Sequence, residues 1–151
     1  MKLASFVDNI SMSQNSYCMI KEFNKLCSNE NSICCFYHDM APSPINMNFA
    51  IVNAYYLPFW DGHIFATSLQ TANTLKKINS SAKKYLYLSD LEWLRYKSDF
   101  DENMLILRDP HLTLVARSLD HSDAIKNYCN IKPKHILKDW DSKTIQEITS
   151  G

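Results

Sequence analysis

Asp90 and Glu92 stand just past an apolar, aromatic run, Tyr85-Leu86-Tyr87-Leu88. A carboxylate at such a place can take the proton from a hydroxyl that is about to be transferred onto. His38-Asp39 ends a second run, Ile33 to Tyr37, and reads in two ways. It is a base with its orienting acid, or a turn in which Asp39 caps the backbone. His38, Asp39, Asp90 and Glu92 are therefore the candidate catalytic groups. Asp8 and Asn9 follow Ala4 to Val7, and Arg117 and Ser118 follow Leu112 to Ala116, so these four are candidate ligand-binding residues. Tyr55, Tyr56 and Trp93 complete that set. Tyr55 and Tyr56, with Phe59 and Trp60, either form a stacking platform for a sugar or base or plug the end of a core.

The elements that must position these groups follow from periodicity. Runs without Gly or Pro, such as Tyr85 to Leu88, suit strands buried on both faces. Leu3 to Val7, Ile33 to Tyr37, Phe49 to Asn53, His63 to Thr67, Leu112 to Ala116 and His135 to Leu137 read as further strands. Between them run amphipathic stretches. Tyr17, Ile20, Phe23, Leu26 and Cys27 recur at helical spacing, as do Leu69, Ala72, Leu75 and Ile78. Ala124, Ile125, Tyr128 and Cys129 form a third inward face. Ser11 or Ser13, then Ser68, Ser118 and Asp141, are the expected N-caps. Ser28 to Asn31 reads as a turn, Tyr96 to Asn103 as an acidic loop, and Met104 to Leu107 as a short apolar segment. Strands alternating with helices predict an α/β domain with a largely parallel, doubly wound sheet. Parallel strands end on one side, so Asp8, His38, Asp39, Asp90, Glu92 and Ser118 are expected along one rim.

Composition excludes several classes. The chain has 151 residues, enough for one domain with a real core. Lys plus Arg and Asp plus Glu are 16 each, so no global field attracts nucleic acid. No apolar run approaches the ~20 residues that span a bilayer. The N-terminus turns acidic at Asp8, too soon for a signal peptide, and the expected location is cytoplasmic. The five cysteines include no CxxC spacing, so buried reduced thiols are expected and no metal site. Only two glycines occur. That rules out a P-loop, a GxGxxG turn and a GxSxG elbow, and no cofactor is expected.

Tyr85-Leu86-Tyr87-Leu88-Ser89-Asp90-Leu91-Glu92-Trp93 resembles the strand-aspartate-Glu segment in the N-terminal, Rossmann-like half of GT-B glycosyltransferases. Leu114-Val115-Ala116-Arg117-Ser118, a helix, and His135-Ile136-Leu137-Lys138-Asp139-Trp140-Asp141 are similar to that half's last strand-helix-strand. There the final strand leads into an Asn-Gly-Val-Asp-like crossover, for which Asp139-Trp140-Asp141 stands here. The resemblance implies a three-layer Rossmann-like sandwich and an acceptor-side domain that binds a glycan. It lacks the nucleotide-sugar half, so it implies a separate donor-binding subunit as partner. The whole chain also looks like small proteins of T4-like marine phages, which implies the host cytoplasm. The alternative from another class is a non-catalytic module that binds a host protein, with Tyr55, Tyr56, Trp60 and Trp93 as anchors.

Overall fold

The computed structural model describes residues 1–151 apart from Asn29, Tyr96 and the side chain of Lys97. Among these residues there are seven strands and five α-helices, alternating except that β2, β3 and β4 follow one another with no α-helix between. They are β1 (Lys2–Asn9), α1 (Gln14–Leu26), β2 (Ser32–Asp39), β3 (Ala50–Asn53), β4 (His63–Ala66), α2 (Leu69–Lys77), β5 (Lys83–Leu88), α3 (Phe100–Leu107), β6 (Leu112–Ala116), α4 (Leu119–Cys129), β7 (His135–Ile136) and α5 (Ser142–Ser150). All strands join one sheet in the order β3-β2-β1-β4-β5-β6-β7. Every neighbouring pair is parallel. This is the expected three-layer, Rossmann-like α/β sandwich.

The pleat sorts the strand residues into two cores. Met19, Ile20 and Phe23 of α1 and Ile145 of α5 pack with Leu3, Cys35, Phe65 and Tyr87 on one face. Leu75 of α2, Met104 and Leu107 of α3, and Ile125 of α4 pack with Phe6, Phe36, Leu86 and Leu114 on the other. Adjacent Cys34 and Cys35 therefore point to opposite cores. Burial pushes their thiols up to about 12 and about 11, so both stay protonated and behave as small hydrophobes.

Helix starts are where the sequence places them. The Ser13 hydroxyl accepts from Ser16 N at 3.1 Å, the Ser118 hydroxyl from His121 N at 3.1 Å, and the Asp141 carboxylate from Thr144 N at 2.9 Å. Ser68 and Thr71 form a reciprocal capping box at α2.

Three expectations are corrected. The acidic loop and the apolar segment after it are largely one helix, α3. Its first turn holds Asp101 and Glu102, which complement the helix dipole, and Phe100, Met104 and Leu107 recur on one face. Tyr17 and Tyr128 are exposed, because the buried stripes run through Ser16, Met19 and Phe23, and through His121, Ile125 and Cys129. Tyr55, Tyr56 and Phe59 do not plug the core. The link from β3 to β4 is a 3-10 turn, Ala54–Phe59, that sends Ala54, Leu57 and the following Trp60 toward the sheet. The turn expected over Ser28–Asn31 and the start of the acidic loop include Asn29 and Tyr96, which lie outside the described residues.

Candidate functional site at the strand tips

From β1 the chain steps outward to β2 and β3, then returns past β1 to β4 and moves the other way. The connections leaving β1 and β4 thus diverge over opposite faces and open a crevice at their carboxyl ends. Asp8 of β1 and Thr67-Ser68 after β4 occupy it. Thr67 donates through N and Oγ1 to the Phe6 carbonyl at 3.1 and 3.2 Å, closing the backbone gap. Ser68 Oγ donates to Asp8 Oδ2 at 2.6 Å while accepting from Thr71 N at 3.0 Å. The other Asp8 oxygen is buried without a partner among the described residues.

The tip of β5 adds the two carboxylates beside this crevice. Glu92 opens a 3-10 turn, Glu92–Leu94, and its Oε2 accepts from Leu69 N, at the start of α2, at 3.0 Å. Burial raises the Glu92 pKa, and the nearby Asp90 and Asp8 charges push the same way. The Leu69 amide and Arg95 oppose the rise. A carboxylate held nearer to neutrality is a better proton acceptor than an ordinary surface glutamate. Asp90 pairs with Arg95 at the surface. Its carbonyl lies 2.9 Å from His121 Nε2. A carbonyl only accepts, so Nε2 carries the proton and donates. Burial lowers the His121 pKa, so the ring stays neutral, and Nδ1 is left as a buried acceptor without a partner among the described residues. Trp93 stacks on His121 with ring centroids 5.7 Å apart, and its buried Nε1 donor likewise has no partner among the described residues.

Two polar clefts flank the tips. One, of about 320 Å³, lies where Glu92 and Arg95 meet Gln70 and Asn73 of α2 and Glu102 and Asn103 of α3. The other, of about 250 Å³, lies on the α1 side, among Gln14, Asn15, Tyr87, Ser89, Arg117 and Asp139. Burial drives the Tyr87 phenol up to about 12, helped by Asp139 and opposed by Arg117, so it is a neutral donor. Cys18 in the same cleft is raised by burial and by Asp139, which leaves an inert thiol rather than a nucleophile. Asp139 and Trp140 both adopt positive φ, 47° and 61°. That conformation costs a non-glycine residue roughly 1–2 kcal/mol. Trp140 is 0% exposed against Phe23 and Tyr87 and donates to Asn15 Oδ1 at 2.8 Å. Burying an indole, worth about 3–5 kcal/mol when deleted, outweighs the strain. The effect is to hold Asp139 at the mouth of the cleft.

Asp8, Asp90, Glu92 and Ser118 are thus brought together at the tips, with Arg117 on the α1-side cleft. Asn9 and Asp39 pair across the ends of β1 and β2 and are exposed. His38 and Asp39 continue strand β2, so they form neither a turn nor a base-acid pair. Their side chains leave opposite faces of the pleat, and His38 packs on Phe6 with centroids 4.9 Å apart. Trp93 is 0% exposed, so it braces His121 from within the core rather than facing a ligand. Tyr55 and Tyr56 are exposed at the far edge of the sheet, and Tyr56 lines a separate groove there. Ser68, Arg95, His121, Asn15 and Asp139 join the site unexpectedly. His121 had a legible signal, since it sits one helical turn before the buried Ile125.

The fold and these tips define a Rossmann-like α/β domain whose polar residues collect at the carboxyl ends of its strands. Compared with protein-family models, curated proteins and solved structures, the chain has no match. Among the described residues no group of His, Cys, Asp and Glu is arranged to hold a metal ion. No helix there is long and apolar enough to cross a membrane.

Proposed function

We propose that this chain is the acceptor-side domain of a glycosyltransferase-like pair, binding a hydroxyl-rich acceptor in the Glu92 cleft. Glu92 itself carries the reading: a partly buried carboxylate with a raised pKa, fixed by the Leu69 amide at the mouth of a polar cleft. The amides of Gln70, Asn73 and Asn103 and the acids Asp99 and Glu102 around it suit the paired hydroxyls of a sugar. In the transfer, an acceptor oxygen bonds the donor sugar's anomeric carbon. The bond from that carbon to the nucleoside diphosphate breaks, and the diphosphate leaves with its electron pair. Glu92 takes the acceptor's proton. The donor is assigned to a separate subunit, as the GT-B resemblance implies.

Saturation-transfer NMR on the purified chain should detect weak binding of oligosaccharides or methyl glycosides. Calorimetry should find no micromolar binding of UDP- or GDP-sugars, since ~8 kcal/mol of affinity needs a donor site. Tight nucleotide-sugar binding, or no saccharide binding by any member of a broad panel, contradicts the proposal.

A further inference from the structure

Away from the tips, the β3 edge differs from the rest of the surface. From Met40 through Trp60 the sequence holds no Asp, Glu, Lys or Arg, in a chain where 21% of residues are charged. This stretch contains β3, which among the described residues pairs only with β2, so its outer backbone edge has no described strand beside it. It also carries Tyr55 at 87%, Phe59 at 83% and Tyr56 at 60% exposure. Because the β3-to-β4 link is a 3-10 turn rather than a helix, the sheet beside it is incompletely covered. A groove of about 750 Å³ remains, floored by Cys34, Phe36 and Val52 and flanked by Tyr56, Phe59 and Trp60. The opposite edge is protected as edges usually are. There β7 is two residues long and lies between Pro133-Lys134 and Lys138.

We propose that the β3 edge is the interface of a two-fold dimer of this chain. The occupant is a second copy for three reasons. Uncharged surface meets uncharged surface without repulsion or unpaired charge, and the patch best matched to this one is itself. Each copy also carries both parts of the fit, projecting aromatics and an apolar hollow beside them, as an isologous contact requires. Finally, three aromatic side chains of about 150–250 Å² each, counted at their 60–87% exposure, supply roughly half of the ~800 Å² per partner in a standard interface. Antiparallel pairing of the two β3 edges adds backbone hydrogen bonds. The dimer is independent of the acceptor reading, because it leaves the strand tips open.

Light scattering or sedimentation equilibrium on the full chain tests this. The expected mass is twice the 17.5 kDa of the chain. Phe59→Lys and Tyr55→Lys alter exposed side chains, so each should return the mass to one chain with an unchanged circular dichroism spectrum. Hydrogen exchange on the unaltered protein gives a second readout. Amides of Ala50 to Asn53 should gain protection as concentration rises. A single-chain mass at all soluble concentrations overturns the proposal and leaves the edge to an unlike partner, such as a host protein. A dimer that survives both substitutions, or open-ended assembly, overturns it as well.

Discussion

The two ends of the sheet are built differently. At the amino ends, Lys2 Nζ sits 2.8 Å from both Asp61 oxygens, and Ser32 N donates to the Met1 carbonyl. Gly62 lies so close that a Cβ there would come within 2.5 Å of Lys2 Cβ and 2.6 Å of its carbonyl oxygen. The backbone is close-packed at Gly62, although hollows of about 410 and 350 Å³ open at this end beside Lys2 and beside Lys84, and Ser80 Oγ is its one buried side-chain polar atom without a partner among the described residues. At the carboxyl ends, Asp8 Oδ1, Trp93 Nε1 and His121 Nδ1 are all buried and without a partner among the described residues. Glu92 is held there with its pKa raised. Buried unpaired polar groups cost stability, so an end that collects them is arranged for something other than folding. One end closes the fold and the other is the candidate working edge.

The comparison breaks most visibly at Gly62. Gly62→Ala forces a methyl group into the Lys2 backbone, which cannot yield as a flexible side chain can. A loss of about 3 kcal/mol is expected, roughly 6–12 °C in melting temperature for a domain of this size. Saccharide binding by the folded fraction should be unchanged. At the other end, Ser68→Ala removes the N-cap of α2 and the partner of Asp8, and about 1–2 kcal/mol should go. Ser118→Ala should cost about 1 kcal/mol, since only a cap is lost. Chemical denaturation measures all three.

The pH dependence follows from the histidines. His63, His121 and His135 have pKa values lowered from 6.5, in each case chiefly by burial. The unfolded chain then binds protons that the folded chain refuses. Their contribution is fully present above 6.5, falls as pH drops below it, and levels off below the lowered folded values. Melting curves from neutral pH downward should show this decline. Glu92 has the opposite sign. Its raised pKa means the fold holds the proton more tightly, so its contribution is present below 4.5 and lost as pH rises through the folded value. Ionised Glu92 therefore destabilises the neutral protein slightly. Glu92→Gln keeps an acceptor for Leu69 N, so it should leave the neutral-pH melting temperature unchanged or raise it slightly. A fall in stability would make Glu92 architectural.

Much of this was legible in the sequence. Apolar runs handing over to Asp, Ser or Arg located the strand tips, and parallel strands had to bring those tips to one side. Serine and aspartate before amphipathic stretches located the caps. Other features needed three dimensions. Nothing local indicates that the Glu92–Leu94 turn swings Trp93 into the core, or that His121 reaches the Asp90 carbonyl. The αL pair Asp139-Trp140 is unreadable because neither residue favours that conformation, and only packing of the indole selects it. The α3 helix was hidden because its acidic first turn looks like a solvated loop. The bare β3 edge follows from a crossover too short and proline-broken to form a helix, which strand periodicity does not reveal.

The central claim is that the carboxyl ends of the strands, and not the amino ends, bind the ligand. The most direct test is a titration of the isotopically labelled chain with oligosaccharides, following each backbone amide by NMR. The account predicts shifts at Leu69, Gln70, Asn73, Glu92 and Asn103, with none at Lys2, Asp61 or Gly62. Shifts confined to the amino ends or to the β3 edge, with the Glu92 cleft silent, would contradict it.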